Sequence, residues 1–272
     1  WPTALQCWWK EKPSPVEHLM KLATTAPFAK PILAMVINML TLDKVNAGYG
    51  AAQVLFDLSL HINAGECVSL MGRNGMGKTT TVRAIMGELP LQSGQIQRFG
   101  ITNADMESFE VARQGIGLVP EGRQIFPNLS VSENLLTFYR PAQTDTQDEW
   151  SFDSVIELFP QLKERLDHAG DRLSGGEQQM LAIGRALITN PKLIILDEAT
   201  EGLAPLIRRQ IWACLNKLKQ KGQSILIIDK DISAITKLAD RHYILDKGSV
   251  AWQGTSTALL AEPETIDRYL GI

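Results

Sequence analysis

Gly72-Arg73-Asn74-Gly75-Met76-Gly77-Lys78-Thr79-Thr80 has the spacing G-x-x-x-x-G-K-[ST]. In that pattern glycines let successive backbone N–H groups curl around an anion, a lysine reaches the β- and γ-phosphates, and a hydroxyl serves Mg²⁺. Gly72, Asn74, Gly75, Gly77, Lys78, Thr79 and Thr80 are therefore candidate phosphate contacts, with Lys78 as the cation and Thr79 as a metal ligand. A second group follows the apolar run Leu193-Ile194-Ile195-Leu196, where Asp197 and Glu198 stand next to each other. Asp197 would hold Mg²⁺ through water, and Glu198 would orient or deprotonate the attacking water, a role worth about 10²- to 10⁴-fold in rate. Cation and loop donors would supply the charge stabilisation on which phosphoryl transfer mostly relies. Between the two lies Ser174-Gly175-Gly176-Glu177. Its S-x-x-E frame is a capping box, which accounts for Ser174 and Glu177. Two adjacent glycines near a helix start are costly unless something approaches the backbone closely, and a second phosphate is the candidate.

These residues need particular elements under them. Residues 66–71 are mostly apolar, as a strand buried on both faces should be, and residues 78–86 contain neither Gly nor Pro before Gly87 offers a left-handed cap. A phosphate between them would meet the positive end of the helix. Strands are expected at 40–45, 54–62, 116–119, 193–196 and 225–228, with a turn and strand at 93–96. Ser130-Val131-Ser132-Glu133 is another capping box opening a helix through residue 139. Val155, Leu158 and Phe159 mark a helix that Pro160 stops, and Ile207, Ile211, Leu215 and Leu218 line one face of a helix at 206–221. The order of strands and helices predicts an α/β core on a parallel sheet, a small antiparallel β subdomain before it, and a helical insertion at about 121–184.

Composition is that of an ordinary globular protein: 272 residues, 44% apolar and 21% charged. The formal net charge of −3 and the lack of any Lys/Arg run disfavour nucleic acid as a partner. Cys7, Cys67 and Cys214 are odd in number and widely spaced, which argues against a disulfide framework or a zinc site and fits a reducing cytoplasm. The longest strongly apolar run, 31–40, is short of the roughly 20 residues that cross a bilayer. Residues 1–38 carry three of the six tryptophans within nine positions and show no sustained period. We expect them to be a non-native or disordered extension, with a signal peptide as the rival reading, and the folded domain to run over 39–272.

Leu173-Ser174-Gly175-Gly176-Glu177-Gln178-Gln179 resembles the signature motif of ATP-binding cassette (ABC) ATPases, with residues 72–79 and 193–198 in the places of their Walker A and Walker B motifs. The resemblance runs from Met39 to the C-terminus. It implies a P-loop NTPase with a RecA-like core, ATP and Mg²⁺ as ligands, and a head-to-tail dimer with a second copy or a paralogous ATPase subunit. In such a dimer Ser174, Gly175, Gly176 and Glu177 of one chain close over nucleotide held by the other. The resemblance also implies adenine stacking on Tyr49, worth roughly 1 to 3 kcal/mol in analogous sites, and a dimer-seam position for Glu201-Gly202-Leu203-Ala204-Pro205.

Two positions depart from the family pattern. Glu121 replaces a common glutamine as a prospective partner of Mg²⁺-bound water, and Lys230 replaces a common histidine, bringing a cation where a neutral imidazole would act. Both departures bear on the hydrolysis rate more than on ATP binding. The segments 119–127, 179–187 and 197–205 are similar to LivF-type subunits of branched-chain amino-acid importers. That likeness implies a peripheral ATPase on the cytoplasmic face of the inner membrane beneath two integral-membrane permease subunits, with a periplasmic binding protein choosing the substrate. Permease helices would press beside residues 121–134, Phe126 among their contacts. A urea or amide importer, a soluble ABC ATPase without transport, and a module that holds ATP without turnover stand as alternatives.

Overall fold

The computed structural model describes residues 38–102, 106–142 and 149–271, all within the compact unit Ile37–Ile272. Apart from Asn38, the expected extension 1–38 lies outside the described residues.

The chain opens with two long antiparallel strands, β1 (Asn38–Tyr49) and β2 (Ala52–Asn63), each extending past the expected limits. They join β4 (Leu91–Arg98) and β5 (Ile101–Thr102) in the order β2-β1-β4-β5. The turn expected at Ser93-Gly94 is instead interior to β4. The pairing of β1 with β4 shifts between Asp43 and Asn46, and Gly94 at φ +84° packs its backbone against the Lys44 carbonyl. A Cβ there would lie 2.1 Å from that oxygen, so this glycine serves a bulge rather than a turn.

The second sheet is the parallel core. β3 (Cys67–Met71), β6 (Ile116–Val119), β7 (Leu193–Asp197), β8 (Ser224–Ile228) and β9 (Arg241–Asp246) take the order β9-β3-β8-β7-β6, and β10 (Ser249–Thr255) adds an antiparallel edge to β9. Every residue of β3, β7 and β8 is buried, as short unbroken apolar strands covered on both faces require.

Helix α1 (Lys78–Ile85) follows β3, and α2 (Ser108–Gln114) precedes β6. The helical region comprises α3 (Val131–Leu136), α4 (Phe152–Leu158), α5 (Pro160–Lys163) and α6 (Gly175–Leu187), with α3 shorter than expected. Pro160 does not only stop α4; it opens α5, where a first-turn position has no need of its missing N–H. The long α7 (Pro205–Gln220) and α8 (Ile232–Leu238) return the chain to the core, and α9 (Ser256–Ala261) and α10 (Pro263–Leu270) close it.

Two apolar cores result. Leu40, Leu55, Leu58, Val68, Ile85 and Ile195 join the antiparallel sheet to one face of the parallel sheet. Leu135, Val155, Leu162, Met180, Ile183 and Leu187 continue from the helical region into Leu196, Ile211 and Leu215 on the other. The parallel sheet is thereby held on both sides, with the carboxyl ends of β3, β7 and β8 gathered at one edge.

Candidate phosphate cleft and flanking groove

β3 ends at Met71, and the chain enters the glycine-rich loop. Gly77 sits at φ +100° as the residue before α1, where a Cβ would come 2.9 Å from the Leu55 side chain. A left-handed residue in such tight quarters has to be glycine. Lys78 begins the helix, and its ammonium donates to the carbonyls of Gly72 (2.9 Å) and Arg73 (3.0 Å), curling back over the loop. Burial pushes the Lys78 pKa down and the nearby Lys230 pushes the same way, while Asp197, Glu201 and Glu121 oppose them. The loop is tied from outside as well. Met76 accepts from the Gly248 N–H (3.2 Å), and Arg73 reaches the Asp267 carbonyl in α10 (3.4 Å).

Asp197 closes β7 and is 3% exposed. Its Oδ1 is buried without a hydrogen-bond partner. Burial raises its pKa and Glu121 adds to the rise, while the Thr79 hydroxyl and the Lys78 ammonium act against it. A divalent cation beside Asp197 and Thr79 would satisfy that oxygen. Among the described residues no cluster of three or more His, Cys, Asp or Glu side chains could hold a metal. Mg²⁺ suits such a sparse site, because it ordinarily takes one or two carboxylates and completes its shell with water and substrate phosphates.

Glu198 adopts φ +54°, and its N–H donates to the Ile228 carbonyl at 2.8 Å. A left-handed glutamate costs about 1–2 kcal/mol, a strain held at the turn off β7 by the neighbouring β8 loop. Asp229 supplies much of that hold. Its Oδ2 accepts from the Thr200 N–H (3.0 Å) and hydroxyl (2.7 Å), and its Oδ1 accepts from the N–H groups of Lys230 (2.8 Å) and Asp231 (3.1 Å). Lys230 Nζ then lies 2.5 Å from Glu201 Oε1 and 3.9 Å from Glu198 Oε2.

A cleft of about 310 Å³ gathers Asn74, Gly75, Gly77, Lys78, Thr79, Thr80, Glu121, Glu198, Glu201 and Lys230, with Val54 at its side. Most of the residues predicted from two distant sequence motifs thus face one space, together with both departures from the family pattern; Gly72 does not line it and instead packs its backbone against the Leu245 carbonyl. Asp197 faces a neighbouring groove of about 530 Å³ that shares Thr79 and Glu121 with the cleft. That groove runs out to Arg123, Phe138, Arg140 and Arg185. Phe138 of that lining stacks on the exposed Phe126 at 5.8 Å, and the Arg185 guanidinium sits 4.7 and 4.2 Å from the ring centres of Phe126 and Phe138.

Ser174, Gly175, Gly176 and Glu177 are not among the residues lining the cleft. They form a reciprocal cap on α6: Ser174 Oγ accepts from the Glu177 N–H, and Glu177 accepts from the Ser174 N–H at 2.8 Å. Within this chain the close approaches to the two glycines come from the Arg123 guanidinium at Gly175 and the Ile207 side chain at Gly176. Tyr49 lies outside the cleft lining too; it is 44% exposed at the end of β1, and its hydroxyl accepts from Arg83 at 3.1 Å. Asp229 and Arg83 were not predicted from sequence. Asp229 looks like any loop aspartate beside Lys230, and Arg83 like any exposed helix residue, until the fold brings Thr200 and Tyr49 to them.

A family model described as ABC transporter matches residues 55–201. The chain is 42% identical over 236 residues to the high-affinity branched-chain amino acid transport ATP-binding protein BraG of Pseudomonas aeruginosa, covering 86% of this chain and 100% of that one. It is 34% identical to the lipopolysaccharide export system ATP-binding protein LptB of Escherichia coli, covering 85% and 97%. Among solved structures, a nucleotide-free ATP-binding cassette from an ABC transporter superposes with a TM-score of 0.73 at 25% identity, covering 85% of this chain and 98% of that one. A dimeric post-hydrolysis ATP-binding cassette bound to ADP and Pi gives 0.70 at 26% identity, covering 80% and 99%.

Proposed function

The chain belongs to the ABC transporter ATP-binding family, and from that premise we propose that it is the ATP-hydrolysing subunit of an importer for branched-chain or related hydrophobic amino acids. One observation carries the chemical half of this reading: Lys78 and Thr79 from one strand–helix junction face Glu198 from another strand across a single cleft. The full-length match to BraG at 42% identity, against 34% to LptB, supports the transported class.

In this reading the backbone of Asn74, Gly75 and Gly77 and the ammonium of Lys78 receive the β- and γ-phosphates of ATP, and Thr80 flanks them at the first turn of α1. Thr79 and Asp197 would hold Mg²⁺, with Glu121 beside them; the cation supplies charge neutralisation of the phosphate oxygens. Glu198 takes the proton of the attacking water. Lys230 presents a second cation to the terminal phosphate. Tyr49, its hydroxyl tied to Arg83, offers a ring face to adenine.

Ser174, Gly175, Gly176 and Glu177 are assigned to the nucleotide of the opposing chain in a head-to-tail dimer, either with a second copy or with a paralogous subunit. The groove lined by Phe138, with the exposed Phe126 stacked beside it, receives the cytoplasmic segment of a permease subunit. The chain then acts as a peripheral subunit on the cytoplasmic face of the inner membrane, and a periplasmic binding protein selects the substrate. No helix among the described residues is long and apolar enough to cross a membrane.

Affinity capture of the tagged chain from its native membranes tests the proposal. We expect two multi-span permeases to co-purify and the assembly to hydrolyse ATP when supplied with leucine-loaded binding protein. Soluble partners alone would overturn the transport assignment while leaving the ATPase assignment standing.

A further inference from the structure

The phosphate cleft contains a carboxylate to which the chemistry above gives no task. Glu201 holds Lys230 at 2.5 Å, closer than Glu198 does at 3.9 Å. Both members of the pair line the cleft beside Gly75 and Lys78. They sit on two loops that are already fastened together, through Thr200 on Asp229 and the Glu198 N–H on the Ile228 carbonyl. The backbone under the pair is therefore set, while both side chains are about half exposed. The two ammonium groups of the cleft are held differently. Lys78 is anchored on the carbonyls of Gly72 and Arg73, whereas Lys230 is held by carboxylates.

We propose that Glu201 is a positioning residue that competes with the terminal phosphate for Lys230, holding the ammonium in the nucleotide-free chain and releasing it when a γ-phosphate enters. The inference rests on the ATPase reading above. A terminal phosphate offers more negative charge and more acceptor oxygens to an ammonium than a single carboxylate does. Its arrival also places negative charge beside Glu121, Glu198 and Glu201, so the carboxylate that loses its partner is turned away from the cleft. ADP ends at the β-phosphate and leaves the pair closed. Glu201 therefore weakens binding of the triphosphate selectively, and its release couples the γ-phosphate to the loop that leads from β7 into α7.

The test is calorimetric titration of the full chain with the β,γ-imido analogue of ATP and, separately, with ADP, each with Mg²⁺. Wild type, Glu201→Gln, Lys230→Ala and the double variant are compared. Glu201→Gln keeps the shape of the side chain and removes the charge. It is expected to tighten the triphosphate analogue about two- to fivefold, the scale of a partly exposed ion pair, and to leave ADP unchanged. In the Lys230→Ala background the same substitution should tighten the analogue by clearly less, because only the direct repulsion between Glu201 and the incoming phosphate is then relieved. Equal tightening for both nucleotides, no tightening at all, or tightening of undiminished size without Lys230 would overturn the inference with the ATPase reading intact. A wild-type chain that binds neither nucleotide would overturn that reading and the inference with it.

Discussion

Glu198 combines a left-handed backbone with a place in the candidate cleft; the Ile228 carbonyl holds its N–H, and Asp229 fixes the loops on either side through Thr200, Lys230 and Asp231. The Glu198→Gln variant should retain ATP binding, lose at least about 10²-fold in turnover and accumulate as a dimer with ATP. A phosphate-release assay beside size-exclusion chromatography reads both properties, and persistent turnover would move the base elsewhere. Lys78→Ala should weaken ATP binding strongly, because the loop then has no cation fixed over it; unchanged affinity in a titration would remove the phosphate-loop assignment. Asp229→Ala leaves the Thr200 N–H and hydroxyl and two further N–H groups without their acceptor. It should cost about 1–3 kcal/mol in denaturant unfolding and lower kcat, while Asp229→Asn, which keeps one acceptor oxygen, should recover part of each. Neither Asp229 nor Arg83 had a spacing that could reveal it. Their partners Thr200 and Tyr49 lie 29 and 34 residues away along the chain.

At the level of elements, short-range rules carried far. The capping boxes at Ser130 and Ser174 are formed reciprocally in the structure, since the two hydrogen bonds close within four consecutive residues and need no distant partner. The apolar runs before Asp197 and at 225–228 also became fully buried strands, because short unbroken apolar runs mark strands covered on both faces. The reading failed where a residue's role depended on a neighbouring strand. Ser93-Gly94 has the composition of a turn, yet the Lys44 carbonyl on β1 decides that it is a bulge within β4. Gly94→Ala should therefore destabilise the protein by more than about 1 kcal/mol, combining positive φ with a backbone clash. A thermal melt checks this, and an unchanged midpoint would mean that the bulge relaxes freely.

At the scale of the molecule, the two cores meet across the parallel sheet, and the tie between β3, β9 and α9 is polar. His242 is fully buried, with Nδ1 2.7 Å from Ser69 Oγ and Nε2 2.8 Å from Ser256 Oγ. Ser256 Oγ donates to the Ala239 carbonyl, so it accepts from Nε2–H, and Ser69 donates to Nδ1. Burial lowers the His242 pKa to about 4 from 6.5, against a smaller opposing pull from Asp240. Between those values the unfolded chain takes up a proton that the folded chain refuses. The contribution of His242 to stability is thus complete above about pH 6.5 and is lost as pH falls toward 4, on the order of 2 kcal/mol by pH 4.5. Denaturant titrations at pH 7 and pH 4.5 should show that loss in the wild type and a smaller one in His242→Gln; equal losses would assign the acid sensitivity elsewhere.

The glycine-rich loop before α1, the acidic pair at the end of β7, the capped helix α6 and the α/β class were all legible in the sequence. Each depends on residues adjacent in the chain, where spacing and local hydrogen bonding are enough to reveal the element. Convergence was not. That Lys230 and Glu201 would meet at 2.5 Å, that both would face Lys78, and that Asp229 would clasp the loops beneath them follows from the side-by-side order of β3, β8 and β7. That order is set by burial of the sheet on both faces, a property of the packed molecule that no single segment of the chain contains.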